Sequence, residues 1–353
     1  MNSHGNEAIE FHEPASFDPP KVVIGCWQLA GGHGALEESE IQRHLRQAVE
    51  LGLTAFDCAD IYTGVEELLG RFLTSLRRDA PDLAAAVRIH TKYVPDLDSL
   101  KTVSKRDVER IIDRSLLRLG LDELHLVQFH WWDVSIPRYV EVLEYLADLR
   151  LAGKIRHLGL TNFGTKEVRE FLDAKIPIVS NQIQYSVLDR RPEVSLARLS
   201  EANGIKLLCY GATAGGFLSS RYVGAAKPTE LLENRSLTKY RLIIDECGGW
   251  ERYQNTLSEL TEVAKDEGMD LSTLCQRFIL TRPSVGAVIV GTRSEHHLQA
   301  NRKNLDTPLS KGATERIERI LAALTPVPGE VYALERDREG PHGRIMRYNL
   351  NRT

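Results

Sequence analysis

The chain has 353 residues, 42% of them hydrophobic and 27% charged, with a formal net charge of −4. That balance is ordinary for a globular protein and allows a large buried core. No run of Lys or Arg forms a stripe that would track phosphates, no stretch approaches the roughly 20 apolar residues of a membrane helix, and the five cysteines (Cys26, Cys58, Cys209, Cys247 and Cys275) include no Cys-x-x-Cys pair. The sequence therefore argues against a nucleic-acid partner, a membrane partner, a disulfide framework and a zinc ribbon. Residues 1–20 lack the apolar segment of a signal peptide and are acidic rather than Arg-rich, so a cytoplasmic, reducing location is expected.

Taken in chain order, residues 1–20 read as a polar, extended lead-in. Short, largely apolar runs follow at 22–29, 54–58, 87–92, 124–130, 157–162, 179–184, 205–210 and 287–291, and read as strands buried on both faces. Between them lie helical patterns at 39–50, 66–74, 104–119, 139–152, 165–174, 193–203, 256–267, 271–281 and 294–304. Ser39 with Gln42 resembles a capping box, and Ser104 can cap the third of these helices with Asp107 in its first turn. Residues 211–250 read as a long irregular insert. Residues 326–353 read as a tail near the end of a 21–325 domain, close to its mouth.

Strict alternation of strand and helix implies a parallel sheet, open or closed. An open dinucleotide-binding sheet normally carries Gly-x-Gly-x-x-Gly after its first strand, and neither the glycines at 31–34 nor those at 211–216 have that spacing. About eight units without that turn favour a closed (β/α)8 TIM barrel, whose working residues collect where strands run into the following loops.

Four such positions carry chemistry. Asp57 and Tyr62 flank the end of the second strand, Lys92 ends the third and His130 the fourth. A phenol titrates near pH 10 and is a poor acid or base at neutrality, but a neighbouring ammonium stabilises its phenolate. Lys92 is placed to do this for Tyr62, Asp57 to keep Lys92 charged, and His130 to donate a hydrogen bond to a substrate carbonyl. Taken singly, each has an ordinary reading as a cap, a solvated strand end, a core imidazole or a packing aromatic.

With DCADIY, GKIRHLGLTNF, NQIQYS, LLCYGATAGGFLS and VIVGTRSEHHLQAN in the same chain, the sequence resembles the aldo-keto reductases of the microbial and plant type across the barrel. The resemblance implies a tetrad of Asp57, Tyr62, Lys92 and His130. It also implies a nicotinamide carboxamide held by Thr161, Asn162 and Gln182, and a ring stacked on Tyr210 beside Gly211. Gly291, Thr292, Arg293, His297 and Asn301 fall on the adenosine-phosphate segment, so NADP(H) is expected ahead of NAD(H). The departures are Thr161, where Ser is usual, the replacement around Gly291 of a Lys often found at the start of the phosphate segment, and His297, where Arg is common in the animal branch.

The expected activity is NAD(P)H-dependent reduction of an aldehyde or ketone, or the reverse oxidation of an alcohol or sugar. The alternative is a nucleotide-binding regulatory or redox-sensing subunit of the same fold. Trp27, Trp131 and Trp132 either line a substrate pocket or pack in the core. His296 and His297 point apart on a helix and suggest no metal. Cys58 and Cys209 read as buried fillers, and the run ERDREGPHGR as a solvated surface or a substrate gate.

Overall fold

A computed structural model describes residues 16–30, 37–229, 235–291, 295–303 and 308–351. Eight parallel strands close into a barrel in sequence order: β1 (Val22–Gly25), β2 (Ala55–Asp57), β3 (Arg88–Tyr93), β4 (Leu124–Phe129), β5 (Ile155–Thr161), β6 (Ile178–Gln184), β7 (Lys206–Tyr210) and β8 (Val285–Val290). Val22 of β1 opposite Val288 of β8 makes the closure. The register sets Lys92 beside Gln128, Thr161 beside Gln182 and Gln184 beside Tyr210. Residues from distant parts of the chain thereby meet on one rim.

Among the described residues the helices are α1 (Glu38–Glu50), α2 (Val65–Asp79), α3 (Pro81–Ala86), α4 (Lys105–Leu119), α5 (Tyr139–Leu151), α6 (Thr165–Asp173), α7 (Leu196–Ala202), α8 (Arg235–Glu246), α9 (Gly249–Asp266), α10 (Leu271–Leu280), α11 (Glu295–Lys303), α12 (Lys311–Leu321) and α13 (Ala333–Arg336). None is long and apolar enough to cross a membrane. In α4, the Ser104 side chain accepts from the Asp107 amide and Asp107 returns a bond to the Ser104 backbone, while Val108, Ile111, Ile112, Ser115 and Leu119 face the core. Helices α2 and α4 touch at Gly70, where a Cβ would stand 2.1 Å from the Arg118 carbonyl oxygen. Only glycine permits that approach.

Three expectations are corrected. The first strand stops at Gly25, and Trp27–Ala30 is a 3-10 turn. Helix α1 begins at Glu38 with Glu37 before it, without a side-chain cap; Gln42 reaches across to the Leu68 carbonyl at 3.4 Å instead of capping with Ser39. The segment expected to be an irregular insert contains α8 and the start of α9, because Tyr240, Ile243 and Ile244 bury one face of α8. Helix α12 was absent from the sequence reading.

The core has two parts. Most buried side chains lie between sheet and helices, and a smaller inner cluster of Val23, Ala55, Leu126, Val179, Leu208 and Ala287 fills the barrel. Phe17, just before β1, packs on that inner cluster, with its ring 6.1, 6.4 and 5.2 Å from His90, His125 and His157. These rings form the floor of the barrel, at the end opposite the strand termini. Burial holds the pKa of His90 and of His125 down at about 3, so the floor is neutral.

Candidate active site

At the opposite end, β2 and β3 present a buried ion pair. Lys92 Nζ donates to Asp57 Oδ2 at 2.5 Å and to the Cys58 carbonyl at 2.8 Å. Asp57 Oδ1 accepts from Gln128 Nε2 at 2.8 Å and from Gln182 Nε2 at 2.6 Å, and Gln182 also donates to Gln128 Oε1 at 2.7 Å. With both oxygens engaged, the buried carboxylate is fixed in position and orients the ammonium. Burial works against the Lys92 charge, but Asp57 and Tyr62 outweigh it and raise the Lys92 pKa above its ordinary value.

Tyr62 lies beyond β2, with Lys92 Nζ 5.0 Å from its ring centroid and the Trp27 ring edge-on at 5.0 Å. Its pKa is pushed up to about 12 by burial, with Lys92 opposing by charge and hydrogen bond and Asp57 adding to the rise. The ammonium thus moderates the phenol's pKa without bringing it below the ordinary value, and Tyr62 is protonated at neutral pH.

His130, just past β4, has Nδ1 3.1 Å from the Thr161 carbonyl oxygen, and its Nε2 is buried with no hydrogen-bond partner among the described residues. A carbonyl can only accept, so Nδ1 carries the proton. Burial depresses the imidazole pKa to about 3, so Nε2 is a bare acceptor at neutral pH. This differs from the expected donor: His130 can receive a hydrogen bond from a hydroxyl but has none to give a carbonyl.

The rim carries further expected residues. Tyr210 donates from its hydroxyl to Asn162 Oδ1 at 2.8 Å, and the Lys239 amine lies 4.9 Å from the Tyr210 ring centroid. Lys239 Nζ also donates to the Tyr210 hydroxyl at 3.3 Å, so it sits at the hydroxyl end of the ring. Asn162 sits in the left-handed region at φ 63°. The Thr161 hydroxyl donates to the Gln182 carbonyl at 3.2 Å, tying β5 to β6. Asn162 Nδ2 and Gln182 Oε1 make no hydrogen bond among the described residues. They offer one donor and one acceptor, the complement of a primary carboxamide. Gly211 follows Tyr210 with φ 76°, Gly291 is exposed beside Gln28, Asn301 is buried and His297 exposed. Thr292 and Arg293 lie outside the described residues.

The three tryptophans separate. Trp27 is 38% exposed beside Tyr62, and Trp132 stands edge-on to His130 at 4.3 Å. Trp131 is fully buried against Phe129, with its indole N–H on the Ile136 carbonyl at 3.0 Å, so it belongs to the core and lines no pocket.

The tail adds residues that the sequence reading did not assign. Tyr332 stands 5.5 Å from His130, edge-on. Glu335, fully buried, pairs with Arg191 at 3.2 Å and Lys239 at 3.4 Å, while Arg191 also pairs with Asp189 at 2.7 Å. The run ERDREGPHGR is therefore not simply a solvated surface: Glu335 and His342 are buried, whereas Arg338, Glu339 and Arg344 are exposed. Two cations from other elements make the interior tolerable for Glu335, and no local pattern in the tail announces them. Farther along, Asp96 Oδ1 accepts from the amides of Leu350 and Asn351 at 2.8 and 2.9 Å, and Leu97 donates to the Tyr348 carbonyl at 2.9 Å. The tail spans the rim from Arg191 to Asp96.

Known proteins resemble this chain in sequence and in fold. The family model described as "Aldo/keto reductase family" matches residues 21–322. The chain is 27% identical over 331 residues to Protein tas of Escherichia coli, covering 82% of this chain and 92% of that protein. It is 26% identical over 304 residues to the aldo-keto reductase yakc [NADP(+)] of Schizosaccharomyces pombe, covering 84% and 87%. Among solved structures, the holo form of an aldo-keto reductase from Bacillus halodurans superposes with a TM-score of 0.65 at 26% identity, covering 90% of this chain and 95% of that one. A strand-ordered closed barrel and a family match over most of its length lead to one assignment: the chain belongs to the aldo/keto reductase family and is an NAD(P)-dependent oxidoreductase.

Proposed function

We propose that the protein reduces an aldehyde or ketone to an alcohol with NADP(H) ahead of NAD(H), or runs the reverse oxidation, with Tyr62 as the acid and base. The observation that carries this reading is the Tyr62 phenol held beside the Lys92–Asp57 pair, with the unpartnered Nε2 of His130 on the same rim. Asn162 and Gln182 suit the carboxamide of a nicotinamide, and Tyr210 suits its ring. When bound, that cofactor supplies or accepts a hydride at the substrate carbon.

Tyr62, protonated at neutral pH, gives its proton to the substrate oxygen as the carbonyl is reduced, and Lys92 stabilises the phenolate left behind. Asp57 keeps Lys92 charged through that step. His130 Nε2 accepts from the hydroxyl of the alcohol and so holds the oxygen against Tyr62 in the product of reduction and in the substrate of oxidation. Trp27 and Trp132 supply apolar walls that limit water at the reacting carbon.

The preference for NADP(H) is supported by Arg293, which is suited to a 2′-phosphate, and by the NADP(+) in the name of the fission-yeast relative. A cytoplasmic location and a small-molecule partner complete the proposal. The test is Tyr62→Phe assayed by cofactor fluorescence against a carbonyl panel. Turnover should fall at least ~100-fold, the scale of a lost general acid, with cofactor affinity within a few-fold of wild type. Undiminished turnover with intact cofactor binding would rule out Tyr62 as the donor.

A further inference from the structure

From the charges around the mouth, we infer that the substrate carries an anionic group, a carboxylate or phosphate, and that Arg336 of the tail is its ligand. The inference rests on the carbonyl chemistry proposed above and names the class of compound that the same site takes.

Cations at the rim are otherwise balanced. Lys92 is paired with Asp57, Arg191 with Asp189 and Glu335, Lys239 with Glu335, and Arg338 with Asp133. Arg336 makes no ion pair among the described residues. Its one hydrogen bond runs from Nη2 to the Asn162 carbonyl at 2.8 Å, and its Nε is buried without a partner. The acids that act on it most, Glu167, Glu335 and Asp133, are all too far for an ion pair.

The guanidinium is nevertheless firmly seated. It lies 5.3 Å from the Tyr332 ring centroid and 5.8 Å from that of Phe163, a setting that fixes its plane. Burial lowers its pKa from the ordinary value, a sign that the charge lacks a counter-ion. A side chain with this many donors, fixed and unpaired, suits a two-oxygen anion.

Its distance from the chemistry fits as well. Both Arg336 and His130 neighbour the Tyr332 ring, at 5.3 and 5.5 Å from its centroid. The matching substrate is a small molecule with a carbonyl at one end and an anion at the other, such as a carboxybenzaldehyde. Among the charges that act on His130, Arg336 comes first, ahead of Lys92 and Lys239.

The experiment compares matched pairs: 4-carboxybenzaldehyde with benzaldehyde, and glyceraldehyde 3-phosphate with glyceraldehyde, each with NADPH. Wild type should favour at least one anionic member by tenfold or more in kcat/KM, mainly through KM, and the pair that responds identifies carboxylate or phosphate. Arg336→Met should bring that ratio near one, while Arg336→Lys should keep most of it. A parallel titration follows tryptophan fluorescence with benzoate, inorganic phosphate and benzyl alcohol, which reads anion binding whether or not turnover occurs. Arg336-dependent anion binding without turnover of any compound upholds the anion site and removes only the reaction. Turnover without anion preference, a preference that survives Arg336→Met, or no anion binding and no turnover at all overturns the assignment. So does a loss of NADPH affinity in Arg336→Met as large as the loss for the anion, since it would give Arg336 to the dinucleotide.

Discussion

Replacing Glu335 with Gln removes a fully buried carboxylate that faces two cations, Arg191 at 3.2 Å and Lys239 at 3.4 Å. Burial alone would raise its pKa, but Lys239 and Arg191 hold it at about 2, below the ordinary 4.5. At roughly 1.4 kcal/mol per pH unit, that difference stabilises the folded state by about 3 kcal/mol when the unfolded carboxylate is ionised. Breaking a buried pair by removing one partner costs about 3–5 kcal/mol, and Gln retains part of the hydrogen bonding, so a loss of about 3 kcal/mol is expected at pH 7. The sign of the pH dependence follows from the depressed pKa: the contribution is full above about pH 4.5 and disappears as pH falls towards 2. Urea unfolding followed by tryptophan fluorescence, run at pH 7 and in steps below pH 4.5, measures both features. A Glu335→Gln protein within about 1 kcal/mol of wild type at pH 7, or one with the same acid-side slope, would refute a stabilising role for this triad.

Three other outcomes are expected. With Tyr62 at about 12, kcat/KM for reduction should be flat through neutral pH, while that for oxidation, which needs the phenolate, should climb about tenfold per pH unit from pH 7 towards 10; an oxidation limb that levels off near neutrality would contradict it. Gly70→Ala should destabilise by about 1–3 kcal/mol in urea unfolding, reversing the usual helix preference for Ala of about 1 kcal/mol, because its Cβ meets the Arg118 backbone. His90, held neutral at about 3, stabilises the fold fully above about pH 6.5. That stability is lost as pH falls towards 3, at about 1.4 kcal/mol per pH unit, and His90→Leu should flatten this slope; an unchanged slope would remove His90 as its source.

What could be read from the sequence was what depends on local periodicity. The β4 run LHLVQF and the β8 run VGAVIV are too apolar for a surface segment and too short for helices, and with their neighbours they implied the barrel before any contact was known. Asp57, Lys92 and His130 stood out because charged and imidazole groups end apolar strands. Gln128 sits in the same register and bridges Asp57 to Gln182, yet it passed unnoticed, since an amide inside an apolar run carries no sign that a carboxylate lies across the barrel. Lys239, Glu335 and Arg336 were hidden for another reason: their burial depends on partners up to 174 residues away, as in the Arg336–Asn162 hydrogen bond. The His130 role changed because a tautomer depends on the neighbour of Nδ1, and the Thr161 carbonyl becomes that neighbour only when β5 lies beside β4.

The clasp between residues 348–351 and the Val94–Asp96 turn bears on how the enzyme matures during synthesis. Asn351 donates its side-chain amide to the Val94 carbonyl and its backbone amide to Asp96, closing a loop of more than 250 residues. Contacts this distant in sequence form late, and a nascent chain on the ribosome cannot make them until translation has passed Asn351. A barrel with all eight strands paired would still have an unfinished rim at that stage, and acquisition of activity should lag behind acquisition of protease resistance.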